Sequence, residues 1–235
     1  MVIAYDGQPC DPHTPDGGRM VLGPAMRADL IIDMDGKPGQ SYRVIDDFYP
    51  DLAYKLVDLD YSPGKLSREH PSGAPTKLPA NPLPEPDLTA VERHEVALQG
   101  GMMGGMGVGS GGMMGGMGMM GVGGAAWAIN GMSMSGDGQT DMPPLVILKR
   151  GQTCVLVVRN DTAWWHPMHL HGHSFRVITR NGKPNPLREW RDTVLVPPRE
   201  AVEIAFVADN PGDWMFHCHV IDHQETGMMS IIRIA

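Results

Sequence analysis

The sequence predicts an all-β protein built around a Greek-key β-sandwich. Three observations carry this. Glycine (30) and proline (21) are abundant among 235 residues while aromatics make up only 6%, a balance that favours many turns over long helices. From residue 125 onward, short apolar and β-branched runs recur at 127–130, 145–149, 153–159, 174–178, 192–196, 201–207 and 229–234. Turn signals such as Asn181-Gly182, Pro197-Pro198 and Asn210-Pro211-Gly212 separate them, and about seven strands in so short a stretch suit a sandwich.

Earlier segments divide by composition. Residues 1–61 hold strand-like runs at 27–34 and 41–46 between Gly- and Pro-containing breaks. They look too short to close a sandwich and read as the end of a preceding domain. Residues 62–88 carry Pro63, Pro71, Pro75, Pro79, Pro82, Pro84 and Pro86, which makes an extended, semi-rigid connector. Residues 89–235 read as the sandwich, opened by an alternating run at 91–98. Inside it, residues 100–124 are almost wholly Gly and Met. Glycine loses much entropy on ordering and offers no side chain, so this insert builds no core. Two readings stand for it: a flexible hairpin insertion, or a thioether lure for Cu(I) formed by Met102, Met103, Met106, Met113, Met114, Met117, Met119 and Met120, since soft thioethers select Cu(I).

Net charge of −8 argues against nucleic acid or an anionic membrane surface as partner. No run of about 18 apolar residues is present, so no membrane-spanning helix is expected. Three widely spaced cysteines do not describe a disulfide framework. Cys154, in a run of valines and leucine, reads as a buried small hydrophobe, and Cys10 as a free thiol in a turn-rich start. The opening residues lack a basic and an apolar leader region. That is expected either of a cytoplasmic protein or of a chain whose first residue is not the true start of the gene product; the second is favoured.

The chemistry is concentrated in two strings, His166-Pro-Met-His169-Leu-His171-Gly172 and His217-Cys218-His219-x3-His223-x4-Met228. Along a strand, neighbouring side chains point to opposite faces. His217 and His219 then share one face and Cys218 takes the other, and His169 and His171 share a face in the same way. His166, His223 and Met228 are expected on loops, free to complete a site around Cys218. One thiolate, two imidazoles and a weak axial thioether make a blue-copper electron-transfer centre. Zinc is the rival metal, but zinc sites usually pair cysteines at C-x2-4-C spacing and have no use for a thioether. His13, His70, His94 and His173 read as structural or surface residues.

The two strings resemble the C-terminal copper signatures of the multicopper oxidases, including laccases, bilirubin oxidases and bacterial copper-tolerance oxidases. Trp127-Ala-Ile-Asn-Gly, Lys149-Arg-Gly-Gln, Arg159-Asn160, Trp190-Arg-Asp-Thr and Pro211-Gly-Asp-Trp214 resemble the flanks of that family's last cupredoxin domain, and residues 22–29 resemble the closing strands of its middle domain. The resemblance implies a type 1 copper on His166, Cys218, His223 and Met228, a type 2 copper on His169, and a type 3 pair on His171, His217 and His219, with Cys218, His217 and His219 as the catalytic electron path. It implies one-electron oxidation of a small reducing substrate, Cu(I) or phenol-like, coupled to reduction of O2 to water, in a periplasmic or secreted protein. The insert and the ending look most like the copper-tolerance, cuprous oxidase branch. That branch often has an acid just after the last type 1 histidine. Here Gln224 stands in its place, with Glu225 next to it.

In the family, the trinuclear cluster takes eight histidines, four of them from a first domain as two His-x-His pairs. No His-x-His precedes residue 169 here. The chain is therefore expected to be a C-terminal portion that needs a missing N-terminal domain or a partner chain for full activity. The competing expectation is a non-catalytic blue-copper protein that carries electrons or buffers copper.

Overall fold

The computed structural model describes residues 1–64, 73, 77–89, 91–101, 126–134 and 143–235. In chain order the strands are β1 (Val2–Tyr5), β2 (Gln8–His13), β3 (Ala28–Leu30), β4 (Ser41–Asp46), β5 (Tyr54–Asp60), β6 (Arg93–Gly100), β7 (Trp127–Ile129), β8 (Val146–Leu148), β9 (Thr153–Asn160), β10 (His166–Leu170), β11 (Phe175–Arg180), β12 (Lys183–Pro184), β13 (Trp190–Arg191), β14 (Thr193–Val196), β15 (Ala201–Val207), β16 (Gly212–Cys218) and β17 (Met229–Ile234). A single-turn helix, α1 (Ile221–Glu225), stands between β16 and β17.

Two sheets form a cupredoxin-like β-sandwich. One is ordered β14-β10-β16-β17-β8; the other is ordered β12-β11-β15-β9-β6-β7, with β13 on β11. Alternate residues of both turn inward. Val96, Leu98, Leu156, Val158, Phe175, Val177, Ile204 and Phe206 meet Met168, Leu170, Val194, Val196, Phe216 and Ile232 in one buried cluster. At roughly 1.5–3 kcal/mol per buried large apolar side chain, this layer dominates the fold's stability. Cys154 is fully buried in it, and burial pushes its thiol up to about 12.

The N-terminal segment makes two small sheets, β2-β1-β3 and β4-β5. Asp6-Gly7 joins β1 to β2 with both residues at positive φ (50° and 77°), the geometry that a two-residue hairpin turn of this twist demands. The strand expected at 27–34 is shorter, Ala28–Leu30. On β4-β5, Tyr42, Val44, Ile45, Tyr54, Leu56 and Val57 stay exposed.

Two expectations about loops are corrected. His166 is the first residue of β10, because it pairs with Val196 on β14. His223 lies on α1, whose turn is closed by the amides of His223 and Gln224 donating to Val220 O at 3.0 Å. Met228 lies in the loop before β17, as expected. Among the described residues no helix is long and apolar enough to cross a membrane.

Candidate metal centre

The pairing of β10 with β16 organises the site. Met168 stands opposite Cys218, His169 opposite His217, and Leu170 opposite Phe216. Because the pleat alternates, the first and last pairs face the core and the middle pair faces the other way. A thiol is thereby set in the core beneath a layer of imidazoles.

On the core side, Cys218 Sγ lies 3.7 Å from His166 Nδ1 and 3.6 Å from His223 Nδ1, and those nitrogens are 3.1 Å apart. These three form the one cluster of potential metal donors within such reach of one another among the described residues. Cys218 and His166 are fully buried, and Met228 as well. The Met228 amide donates to His223 O (2.8 Å) and its carbonyl accepts from the Cys218 amide (3.1 Å), tying the loop to both neighbours. Burial drives His166 down to about 3 and pushes the Cys218 thiol up to about 12. The imidazole therefore stays neutral, with a lone pair to offer. Trp127 covers the cluster, its ring centroid 4.1 Å from that of His223 and 5.2 Å from that of His166.

Across the strand, four rings gather. His169 lies 4.9 Å from His171, 5.7 Å from His217 and 5.0 Å from His219 between centroids, and His217 lies 4.9 Å from His219. His171 and His219 stand just beyond the ends of β10 and β16. Nε2 of His171 and Nε2 of His217 face each other at 3.0 Å. His217 Nδ1 is 3.0 Å from Cys218 O. A carbonyl only accepts, so that nitrogen carries the proton and Nε2 presents its lone pair to the group. Burial and the neighbouring histidines hold His217 down to about 4 despite this hydrogen bond.

The sequence matches the multicopper oxidase family over residues 119–235. The chain contains a multicopper oxidase C-terminal domain. It is 43% identical over 102 residues to a multicopper oxidase of Mycobacterium tuberculosis, covering 43% of this chain and 18% of that protein. It is 36% identical over 98 residues to an iron transport multicopper oxidase of Schizosaccharomyces pombe, covering 36% of this chain and 15% of that protein. The crystal structure of a multi-copper oxidase from Pseudomonas thermotolerans matches all of this chain with a TM-score of 0.74 at 30% identity. The chain spans 49% of that structure, about half its length.

Copper is the cofactor this family implies, and the donors present fit it. Metal–imidazole and metal–thiolate bonds of about 2.0–2.3 Å set neighbouring donors about 3.2–3.8 Å apart, close to the spacings around Cys218. The orientations of His166 and His169 fit as well. Thr162 Oγ1 donates to Asn160 Oδ1 (2.7 Å) and so accepts from His166 Nε2 (2.8 Å). That leaves His166 Nδ1 free on the side of Cys218. His169 Nδ1 donates to Asp192 O (2.9 Å) and to Thr193 Oγ1 (3.0 Å), which leaves its Nε2 free. Partners of this kind orient ligating imidazoles in metal sites.

These multicopper oxidase supports were not singled out from sequence as functional residues. Asn160, Asp192 and Thr193 stand only among family-like flanks in the sequence, and Thr162 carries no local signal. The eight methionines from Met102 to Met120, and His70, lie outside the described residues. His13 bonds the Tyr5 hydroxyl at 3.0 Å and stands apart from both clusters. His94 Nε2 and both ring nitrogens of His173 are buried and have no hydrogen-bond partner among the described residues. His173 lines a cavity of about 580 Å³ beside His169 and His171, and burial lowers its affinity for a proton.

Proposed function

We propose that this chain is the C-terminal part of a copper-dependent oxidase that passes single electrons from a small donor to O2, releasing water. In this reading His166, Cys218 and His223 are the strong ligands of a type 1 copper and Met228 its weak axial ligand. His169 is a type 2 ligand, and His171, His217 and His219 serve the type 3 pair. Residues 1–61 are the end of a middle cupredoxin domain, 62–88 a linker, and 89–235 the last cupredoxin domain.

The observation that carries the proposal is the β10–β16 register. It sets Cys218 and His217 back to back on one strand, so one peptide unit joins the thiol site to the four-imidazole site. Bound copper would supply a one-electron couple at Cys218 and an O2-reducing cluster at the imidazoles. The protein's part is orientation and exclusion of water. Thr162 and Asp192 present the free ring nitrogens, Trp127 roofs the buried site, and half-exposed His223 is the approach for a donor. The donor is proposed to be Cu(I) or phenol-like, and the protein to work in the periplasm or outside the cell, as a copper-tolerance oxidase would. The eight insert methionines are proposed to gather Cu(I).

Four imidazoles are half the set such a cluster uses. The remaining ligands are proposed to come from polypeptide beyond this sequence, a reading supported by the bare apolar faces of β4-β5 and by the chain's 49% coverage of its structural relative. The test is co-expression of the chain with a first cupredoxin domain carrying two His-x-His pairs, scored by O2 consumption. Turnover in the complex and little in the chain alone is expected. Full four-electron turnover by the chain alone overturns the reading.

A further inference from the structure

The N-terminal sheet reaches the four-histidine group through two side chains. Asp6 sits at the tip of the β1–β2 hairpin, its carboxylate fully buried. Its Oδ1 accepts from the Arg27 amide (2.8 Å), and its Oδ2 lies 3.3 Å from the amides of both Asp192 and Thr193. Arg27, just before β3, closes the loop from the other side. Its Nη2 donates to Asp192 Oδ2 (2.6 Å) and to Asp6 O (3.0 Å), and its Nη1 to Ala25 O (2.7 Å). Asp192 Oδ1 in turn accepts from Thr193 Oγ1 at 2.7 Å.

We infer that Asp6 and Arg27 are positioning residues for His169, an inference that rests on His169 being a copper ligand. The logic runs through hydrogen-bond direction. A hydroxyl has one proton. While Asp192 takes that proton, Thr193 Oγ1 can only accept from the ring, and Asp192 O also accepts. Both partners of His169 Nδ1 are then acceptors, so the proton is confined to Nδ1 and the lone pair to Nε2. Arg27 holds the Asp192 carboxylate in place with a charge-assisted bond, and Asp6 pins the two backbone amides that carry the acceptors. Without Arg27 the carboxylate is free to turn to solvent, the Thr193 hydroxyl is free to donate, and the wrong tautomer becomes accessible. The sheet β2-β1-β3 therefore has a role toward the imidazole cluster without contributing a ligand to it.

The experiment uses the metal-free, ¹⁵N-labelled chain and long-range ¹H–¹⁵N correlation spectra of the histidine rings, with His169→Gln to assign the His169 signals. Wild type is expected to show His169 almost wholly protonated on Nδ1. Arg27→Met is expected to raise the Nε2-protonated population several-fold, and Arg27→Lys to return most of the loss. Asp6→Asn provides a second, independent disturbance. Unchanged core methyl resonances of Val202 and Ile204 report that the sandwich is intact. A folded Arg27→Met variant whose His169 keeps the wild-type tautomer overturns the inference, as does a wild type already mixed. Because no metal is present, either result is separate from the ligand assignment, which stands or falls on the copper stoichiometry and colour of the loaded protein.

Discussion

Thr162 Oγ1 accepts a hydrogen bond from His166 Nε2 at 2.8 Å, inside a pocket where both residues are fully buried. The hydroxyl is itself held by Asn160, whose amide nitrogen also donates to the carbonyls of Trp164, Val196 and Pro197. One asparagine thus sets the direction of an imidazole two links away. Replacing Thr162 with Val strands the ring N–H, which costs about 1–3 kcal/mol. Copper affinity at the Cys218 site should fall about 10–100-fold, measured by competition with a chelator. Unchanged affinity in a folded Thr162→Val variant would show that the ring needs no such support.

Cys218 is the donor that would give the site its colour. Copper-loaded wild type is expected to be blue through thiolate-to-copper charge transfer, and Cys218→Ser to be colourless while keeping the wild-type circular dichroism. A colourless, fully loaded wild type would defeat the type 1 assignment.

Gly172 follows His171 at φ +70°, and an added Cβ would run into the ring of Trp214. Gly182 has nearly the same φ, +72°, but none of the described residues comes within 4 Å of where its Cβ would stand. Alanine at 182 therefore carries only the left-handed backbone strain of about 1 kcal/mol. At 172 it adds steric conflict of roughly 1–3 kcal/mol. For a chain of this size each kcal/mol lowers Tm by about 2–4 °C. Gly172→Ala should melt several degrees below Gly182→Ala, and equal melting temperatures would contradict the packing described.

Acid stability should depend on Glu189. Burial pushes its carboxyl up, but Arg191 (Nε–Oε1 3.1 Å) and the Asn185 amide (2.6 Å) outweigh burial and leave it below its usual value. A depressed native value adds stability above the unfolded carboxyl's pKa of about 4.3, and that stability is lost as the pH falls through the native value. Denaturant midpoints of wild type should drop on acidification over that window, and those of Glu189→Gln should drop less. Parallel curves would exclude Glu189 as the responsible group.

The bare hairpin β4-β5 makes a further claim. Tyr54 and Leu56 are each 57% exposed and Val57 46%, and unpaired strand edges with apolar faces invite association. The chain by itself should self-associate with rising concentration in sedimentation, and Leu56→Lys with Val57→Lys should suppress this without lowering the melting temperature. A monodisperse wild type at high concentration would show that this surface is tolerated bare.

Period-2 alternation is enough to separate Cys218 from His217, because the pleat fixes side-chain direction locally. Apolar, β-branched runs between turn signals locate the core strands at 153–159 and 201–207 within a residue. Local pattern fails where pairing partners decide. The sequence suggests a loop at His166, yet this residue belongs to β10 because Val196 on a distant strand supplies its partner. It suggests a loop at His223 too, where a single helical turn brings the ring back over Cys218 instead.

The amino-acid order alone marks the candidate donors: two imidazole strings, one thiol between histidines and a thioether ten residues on, with the strand period placing His217 and Cys218 on opposite faces. The folded arrangement decided which ring nitrogen His166 and His169 offer. That choice rests on Thr162, Asn160, Asp192, Thr193 and, through them, Asp6 and Arg27. Hydrogen-bond direction depends on groups brought together from up to 187 positions apart, and a periodicity that reaches only to the next residue carries no trace of it.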